Sequence, residues 1–327
     1  MVKYILKRVI YSILILLLVS LLLYLIMRML PNDFVDKTYE SQLNSGVMTK
    51  EDLHRIKETL GIADNSFKGI MRGYGDWLKN ALRGDLGLSL KYQAPVGQVI
   101  SDHMWISFGI AMFAFIFQFI IAIPLGIKAA THQYGAVDYT TSVLAMVGIS
   151  LPSFFLAYLL MRVLSIELGW FPLQGIDSGR GSGFDLGDLL WHMVLPMLTI
   201  IIGSIGGLMR HTRTNTLEVL NQDYVRTARA KGLSERKVVY KHVFRNTMVP
   251  IVTMTAGIIP GLFGGMMILE KVFAIDGIGR IAYEAMGVGD FPLVMGYNMF
   301  ISILTVLGTL LSDLAYMLVD PRIKISK

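Results

Sequence analysis

Long uncharged stretches alternate with short polar ones along most of the chain. Lys3, Lys7 and Arg8 precede an apolar run from Val9 to Met27, which reaches the ~20 residues a spanning helix needs. Further runs follow at Trp105–Ile127, Tyr139–Met161, Leu189–Met209, Thr247–Leu269 and Phe291–Ser312. Six spanning helices are therefore expected, in an all-α, polytopic membrane protein. Between the first two runs the pattern changes. Thr49-Lys50-Glu51-Asp52 opens a helix in which Leu53, Ile56 and Leu60 recur at helical spacing until Gly61 stops it. A second short helix is expected over Tyr74–Leu82, with Trp77, Leu78 and Ala81 as its apolar stripe. The segment reads as a small helical extracytoplasmic scaffold after the first helix.

Charge orients these elements. The basic N-terminal flank places that end in the cytoplasm. Six crossings then return Met209–Pro250 and the tail Arg322, Lys324 and Lys327 to the same face, where the positive-inside rule wants them. The Lys128–Asp138 loop is cytoplasmic on this count. Glu167–His192 and Lys271–Asp290 lie outside, and their aromatic and glycine residues (Trp170, Phe171, Phe273, Gly277, Gly279) suit half-inserted gate segments. The chain divides into a first transmembrane helix (1–30), the scaffold (31–94), a membrane core (95–319) and a cytoplasmic tail (320–327).

Composition agrees with a membrane protein: 54% of residues are apolar, against about 45–50% in soluble domains. The net charge of +6 is concentrated in loops, so it does not point to nucleic acid. Without cysteine the chain has neither disulfides nor thiolate metal ligands. Leu30-Pro31-Asn32-Asp33 lacks a small-residue cleavage pattern, so the first apolar segment is expected to remain in the mature chain.

Candidate chemistry inside the membrane is sparse. Gln118 and Asn298 are central polar groups and, with Pro260, are the candidate translocation-path residues. Gly203 and Gly207 form one small-xxx-small pair, and Gly257, Gly261 and Gly265 another stripe, suited to close helix approach. Pro260 sits within the second stripe, lacks a backbone donor and is a candidate hinge. Arg162 and Asp313 lie near helix ends, where snorkelling or pairing accounts for them. His192 and His242 have no partners at metal-ligand spacing, so no metal site is expected. Gly84-Asp85-Leu86-Gly87-Leu88-Ser89 is not a phosphate loop, because no Gly-Lys-Ser/Thr follows, and no catalytic constellation is recognisable.

The richest polar stretch runs from Met209 to Pro250. Arg210, Arg213, Arg226, Arg229, Lys231, Arg236, Lys237, Lys241 and Arg245 outnumber Glu218, Asp223 and Glu235. Asn221 reads as an N-cap, with Asp223 in the first turn where a carboxylate suits the helix dipole. Gly232 is a C′ stop and Ser234 a second cap. A basic helix beside a membrane also binds anionic headgroups, a competing reading worth about 1 kcal/mol per basic residue.

Asp223-Tyr224-Val225-Arg226-Thr227-Ala228-Arg229-Ala230-Lys231-Gly232, followed by Lys241-His242-Val243-Phe244-Arg245-Asn246 and Pro250, resembles the cytoplasmic signature loop of ABC-importer permeases, and most of all the dipeptide/oligopeptide branch. The general signature is Glu-Ala-Ala, three residues, then Gly; here Arg226-Thr227-Ala228 occupies the first three places. Ile5-Leu6-Lys7-Arg8, Leu30-Pro31-Asn32-Asp33, Arg83-Gly84-Asp85-Leu86-Gly87, Leu269-Glu270-Lys271-Val272-Phe273 with Gly277-Ile278-Gly279, and Asp320-Pro321-Arg322-Ile323 extend the resemblance end to end. It implies a type I importer permease in a bacterial inner or plasma membrane. The implied partners are a second permease, two ATPase subunits that bind the ATP, and an extracellular binding protein delivering peptides. Coupling to the ATPases would run through Asp223, Tyr224, Arg226, Thr227, Ala228, Arg229, Ala230, Lys231, Gly232 and Arg245. No cofactor and no catalytic activity are expected of this subunit. Nickel or glutathione import is the neighbouring alternative; an ion-driven secondary transporter would want paired intramembrane carboxylates or an inverted repeat.

Overall fold

In the computed structural model the described residues are 2–29, 39–40, 43–59, 63–64, 66–178, 185–255, 258–264 and 266–319. Residues 30–33, Leu60, Gly61, Gly257, Gly265 and the tail from Asp320 onward, singled out above, lie outside them. The helices are α1 Val2–Met29, α2 Lys50–Thr59, α3 Phe67–Ala81, α4 Val96–Thr131, α5 Ala136–Ser150, α6 Ser153–Leu160 and α7 Leu186–Leu220. They continue with α8 Asp223–Ala230, α9 Glu235–Lys237, α10 Phe244–Thr255, α11 Ile259–Phe263, α12 Met267–Val272, α13 Ile278–Val288 and α14 Phe291–Val319. Wider π-type turns follow α6 (Met161–Glu167) and α9 (Val238–Val243).

Among the described residues four helices are long and apolar enough to cross a bilayer: α1, α4, α7 and α14. The 36 residues of α4 reach about 54 Å, well beyond a ~30 Å hydrocarbon core. The expected straight span Tyr139–Met161 is instead a bent pair. α5 and the helix from Ser153 meet at 106°, which brings the number of crossings to five if the pair counts as one. The cause is local: Leu151 precedes Pro152 and is driven to extended backbone (φ −85°, ψ 129°), ending the helix. The expected span Thr247–Leu269 is likewise divided, between α10, α11 and α12.

The chain forms two compact units: Met1–Ile106, Phe263–Met267 and Asp276–Leu307 in the first; Ser107–Leu262, Ile268–Ile275 and Gly308–Lys327 in the second. In the first unit, α3 is clamped to α1. The Tyr74 hydroxyl and Ser20 Oγ are 2.8 Å apart, and Tyr24 packs edge-on against Tyr74 and Phe291. α3 begins earlier than the expected Tyr74, because the Ser66 side chain caps it by accepting the Gly69 N–H. Trp77 and Leu78 pack where their spacing puts them, against the α1 residues. α2 opens on a capping box in which Thr49 Oγ1 accepts the Asp52 N–H and Asp52 accepts the Thr49 N–H.

The largest core of this unit joins the start of α4 (Val96, Val99, Ile100) to α13 (Ile278, Ile281, Ala282, Ala285) and the start of α14 (Leu293, Val294, Tyr297). Asp290 ties its polar edge together. Fully buried, it accepts from Ser89 Oγ at 2.6 Å, the Lys91 N–H at 3.0 Å and the Leu293 N–H at 3.3 Å, so that it caps α14 as well. Beside it Glu284 pairs with Lys91 and with Arg280, which also reaches Asp276 at 2.9 Å.

In the second unit α5 and α7 cross closely. A Cβ on Gly148 would collide with the Ile202 carbonyl, and one on Gly206 would lie 2.7 Å from the Ala145 backbone. Gly126 of α4 meets α7 in the same way, at Met209 and Thr212. The glycines expected to make such approaches, Gly203 and Gly207, have nothing within 4 Å of the point where a Cβ would sit, and neither has Gly261. In α7 the small-residue spacing finds a helix that is approached closely, but the close face is that of Gly206 and not that of Gly203 and Gly207. Phe273 is buried, and its carbonyl accepts from the Gly175 N–H at 2.8 Å while Gln174 donates to the Val272 carbonyl. Of the two segments expected to be half-inserted, these parts are thus pinned to each other.

Candidate functional site: the α7–α10 loop

α7 ends at Leu220, and the chain turns through Asn221 and Gln222 into α8. The turn corrects the expected cap. Asn221 is still helical (φ −86°, ψ −2°), and Gln222 (φ −76°, ψ 148°) is the N-cap, without a side-chain cap bond. The Asn221 amide donates instead to the Leu217 carbonyl of its own helix. Asp223 does occupy the first turn of α8.

α8 buries a narrow stripe. Val225 and Ala228, three apart, pack with Val238 and Val243, flanked by Val219, Leu220 and Leu233. Tyr224, Arg226, Thr227, Arg229 and Ala230 are exposed, as are Lys231 in the following turn and Arg245 on α10. The helix is thus held by its back, with a basic, tyrosine-bearing front left open.

Its end is closed by backbone geometry. Gly232 has φ +74°; its N–H donates to the Arg229 carbonyl, and the Leu233 N–H reaches the Ala228 carbonyl at 3.4 Å. This is a Schellman arrangement, and its accompanying hydrophobic contact is Leu233 on the stripe of Val225 and Ala228. Ser234 then takes the extended cap position before α9 without a side-chain bond. Arg229 bridges the turn, its Nη2 donating to Glu235 Oε1 at 2.6 Å and its Nε to Oε2 at 3.1 Å. These hydrogen bonds hold the Glu235 carboxyl below its usual range. Arg226 faces Asp223 at 3.6 Å, and the Thr227 hydroxyl donates to the Asp223 carbonyl. Asp223, Tyr224 and residues 226–232 therefore come together as one helix and its stop; Arg245 sits further along, on α10.

The three path candidates fall elsewhere. Gln118, half-buried on α4, donates to the Ser204 carbonyl of α7 at 3.1 Å, tying two helices. Pro260 is the second residue of α11, a position where no helical donor is needed. Asn298 donates to the Val294 carbonyl one turn back in α14. Sequence reasoning misses Asp138. It is buried at the start of α5 and bound by Arg213 of α7 through both carboxylate oxygens, with the Tyr134 N–H as a further donor. The only hint in the sequence is an acidic residue opening a helix. Ser107, whose hydroxyl donates to the buried Glu270 at 2.7 Å, escapes a sequence reading too.

Residues 122–325 match the family described as binding-protein-dependent transport system inner membrane component, and residues 1–111 match the N-terminal family of the same membrane components. The oligopeptide transport system permease protein AppB of Bacillus subtilis (strain 168) is 32% identical, over 99% of this chain and 100% of that one. A putative peptide permease protein of Brucella suis biovar 1 is 34% identical over the whole of both chains. The dipeptide transport system permease protein DppB of B. subtilis is 32% identical over 100% of this chain and 99% of its own length. Among solved structures, a chain of the inward-facing MetNI methionine ABC transporter matches with a TM-score of 0.52 at 16% identity, covering 68% of this chain and 97% of that one. At that identity the likeness speaks for the fold alone.

Proposed function

The chain belongs to the family of binding-protein-dependent transport system inner membrane components, and from that premise we propose that it is the permease subunit of an ATP-driven importer of peptides. The observation that carries the mechanism is α8: a helix fixed by Val225 and Ala228, stopped by Gly232 and otherwise exposed. Such a helix suits docking on a separate energy-supplying subunit. In this reading it is the coupling helix, and Tyr224–Asn246 is the loop that engages the ATPase.

The working assembly is this chain, a second similar permease, two ATPase subunits and an extracellular binding protein. The chain crosses a bacterial inner or plasma membrane six times, with the bent α5–α6 pair and the α10–α12 series each serving as one crossing. Both termini are cytoplasmic, and α2 and α3 lie outside. Closure of the ATPase pair on ATP moves α8; α7, continuous with it through a two-residue turn, carries the movement into the bundle. Peptide released by the binding protein then enters, and hydrolysis restores the inward-facing state.

Reconstitution tests the reading. Proteoliposomes holding both permeases and the ATPases should accumulate peptide only with ATP and the binding protein present. Uptake driven by a proton or sodium gradient without the ATPases would overturn it. The chain has no cysteine, so single cysteines at Ser234 and Ser45 report topology. An impermeant thiol reagent applied to intact cells should label the Ser45 site alone; labelling at Ser234 would exclude the six-crossing arrangement.

A further inference from the structure

The second unit holds a cavity of about 380 Å³ where the end of α4, the start of α5 and the last third of α7 converge. Its walls are Gly126 and Ala129 on α4, Tyr134 before α5, the first turns of α5 from Asp138 to Met146, and Met209, Arg210 and Arg213 on α7. We propose that this cavity binds an anionic phospholipid, its phosphate at Arg210 and an acyl chain running along α5. The site does not depend on which solute is carried; it rests on the proposed reading in needing α4, α5 and α7 to lie in the bilayer of the assembled transporter.

Along every wall the sequence passes from apolar to polar at the cavity. The uncharged run of α4 ends at Lys128, that of α7 ends at Met209 before Arg210, and α5 turns apolar from Val143, after Asp138 and the hydroxyl-rich stretch Tyr139–Ser142. The cavity therefore straddles the boundary between hydrocarbon and headgroups. Tyr134 and Tyr139, both largely exposed, have the amphipathic rings favoured at that depth.

Charge points the same way. Both oxygens of Asp138 are occupied by Arg213, and one of them also by the Tyr134 N–H, so the carboxylate in the walls is neutralised. Tyr134 is held at φ +61° by that contact. Among the described residues, Arg210 is left as the uncompensated cation of the walls. The Tyr139 and Ser142 hydroxyls have no hydrogen-bond partner among the described residues, whereas Tyr134 interacts electrostatically with Arg213 and the Thr141 hydroxyl donates to the Val137 carbonyl. A cation with spare hydroxyl donors beside it fits a phosphodiester. Basic pockets between membrane helices are known to hold anionic headgroups.

Shape supplies the tail. The volume falls within the roughly 300–1,000 Å³ of small-molecule sites. The lining is mainly apolar, with Gly126, Ala129, Ala145, Met146 and Met209 beneath the polar groups. From Tyr139 an exposed apolar row continues along α5 through Val143, Met146 and Val147, at helical spacing. A free inorganic phosphate would have no use for that row, but a lipid tail would.

The test uses the assembled transporter in vesicles of phosphatidylglycerol and phosphatidylcholine. Thr140→Cys places the only thiol of this chain on α5 beside the cavity, at an exposed residue outside its lining, where it can carry a photo-activated crosslinker. The expected product is an adduct between this chain and phosphatidylglycerol, in excess over phosphatidylcholine. Arg210→Gln should lower its yield about fivefold, the loss of one basic contact with an anionic headgroup. Met146→Trp, which fills the apolar floor without touching charge, should lower it as well. A control needs no substitution: the unmodified complex, stripped with detergent, should retain phosphatidylglycerol by native mass spectrometry. Crosslinking to another protein subunit would assign the cavity to a protein contact and overturn the proposal. So would equal labelling of the two lipids, an unchanged yield in Arg210→Gln, or a stripped complex that carries no phosphatidylglycerol.

Discussion

Arg213 donates through Nε to Asp138 Oδ1 at 2.6 Å and through Nη2 to Oδ2 at 2.8 Å, joining two residues 75 apart in sequence. The pair links the start of α5 to the stretch of α7 that runs on into α8. Removing only the arginine leaves a buried carboxylate with one backbone donor. Arg213→Ala should therefore destabilise the detergent-solubilised protein by roughly 1–3 kcal/mol, as for a buried group stripped of its partner. Arg213→Lys keeps the charge but not the two-pronged contact and should fall between. Thermal unfolding of the three proteins decides; equal midpoints would show that the pair contributes nothing to the fold.

The α5–α7 crossing gives a contrast within one helix pair. Gly148→Ala puts a methyl into the Ile202 carbonyl and should cost about 1–3 kcal/mol, the usual penalty of overpacking. Gly203→Ala meets open space in this chain and should stabilise α7 by up to about 1 kcal/mol in the isolated subunit. Unfolding curves in the same detergent give both values. If the two substitutions behaved alike, the close approach would not be at Gly148.

The Lys91 contact holds the Glu284 carboxyl below its usual value near 4.5, helped by Arg280. A depressed carboxylate contributes stability above its unfolded pKa and loses it as pH falls through the folded one. The stability difference between the parent protein and Glu284→Gln should accordingly be full from neutral pH down to about 5 and shrink below about 4.5. Unfolding midpoints measured across that range check the sign. A difference that grew on acidification would contradict the assigned pairing.

These sites differ in how far the sequence announces them. Gly232 is legible because a helix stop is a local event: a glycine after Arg-Ala-Lys and before a second cap is readable within ten residues. The stripe of Trp77 and Leu78 is legible for the same reason, since one helical turn fixes which side chains share a face. Gly203 and Gly207 have the right period, yet Gly206 makes the contact, because a period fixes spacing and not phase when the whole helix is apolar. Pro152 is plain in the sequence, but the apolar run on both sides hides the bend it imposes. Asp138 and Arg213, or Ser89 and Asp290, cannot be paired from the sequence at all. Their meeting depends on tertiary packing across 75 and 201 residues.

Gly232 offers the sharpest test of coupling. Its φ of +74° belongs to a region where any Cβ costs about 1–2 kcal/mol, and no neighbouring atom lies within 4 Å of the position a Cβ would take. The penalty of substitution is therefore all backbone, and crowding adds nothing to it. Gly232→Val should be worse than Gly232→Ala, because a β-branched side chain narrows the choice further, while Asn should be mildest. Relief of the strain would undo the Leu233 contact and the Arg229–Glu235 bridge, turning α8 away from its place over Val238 and Val243. The distant helices carry no part of that strain, so Gly232→Val should insert and assemble normally. ATP hydrolysis in the reconstituted complex should persist while peptide uptake per ATP falls. A lipid-anchoring role for α8 makes the opposite forecast: neutralising Arg229 and Lys231 together would weaken function, and Gly232→Val would leave uptake per ATP unchanged. Measuring that ratio in both variants separates the two roles, and normal coupling in Gly232→Val would remove α8 from the coupling path.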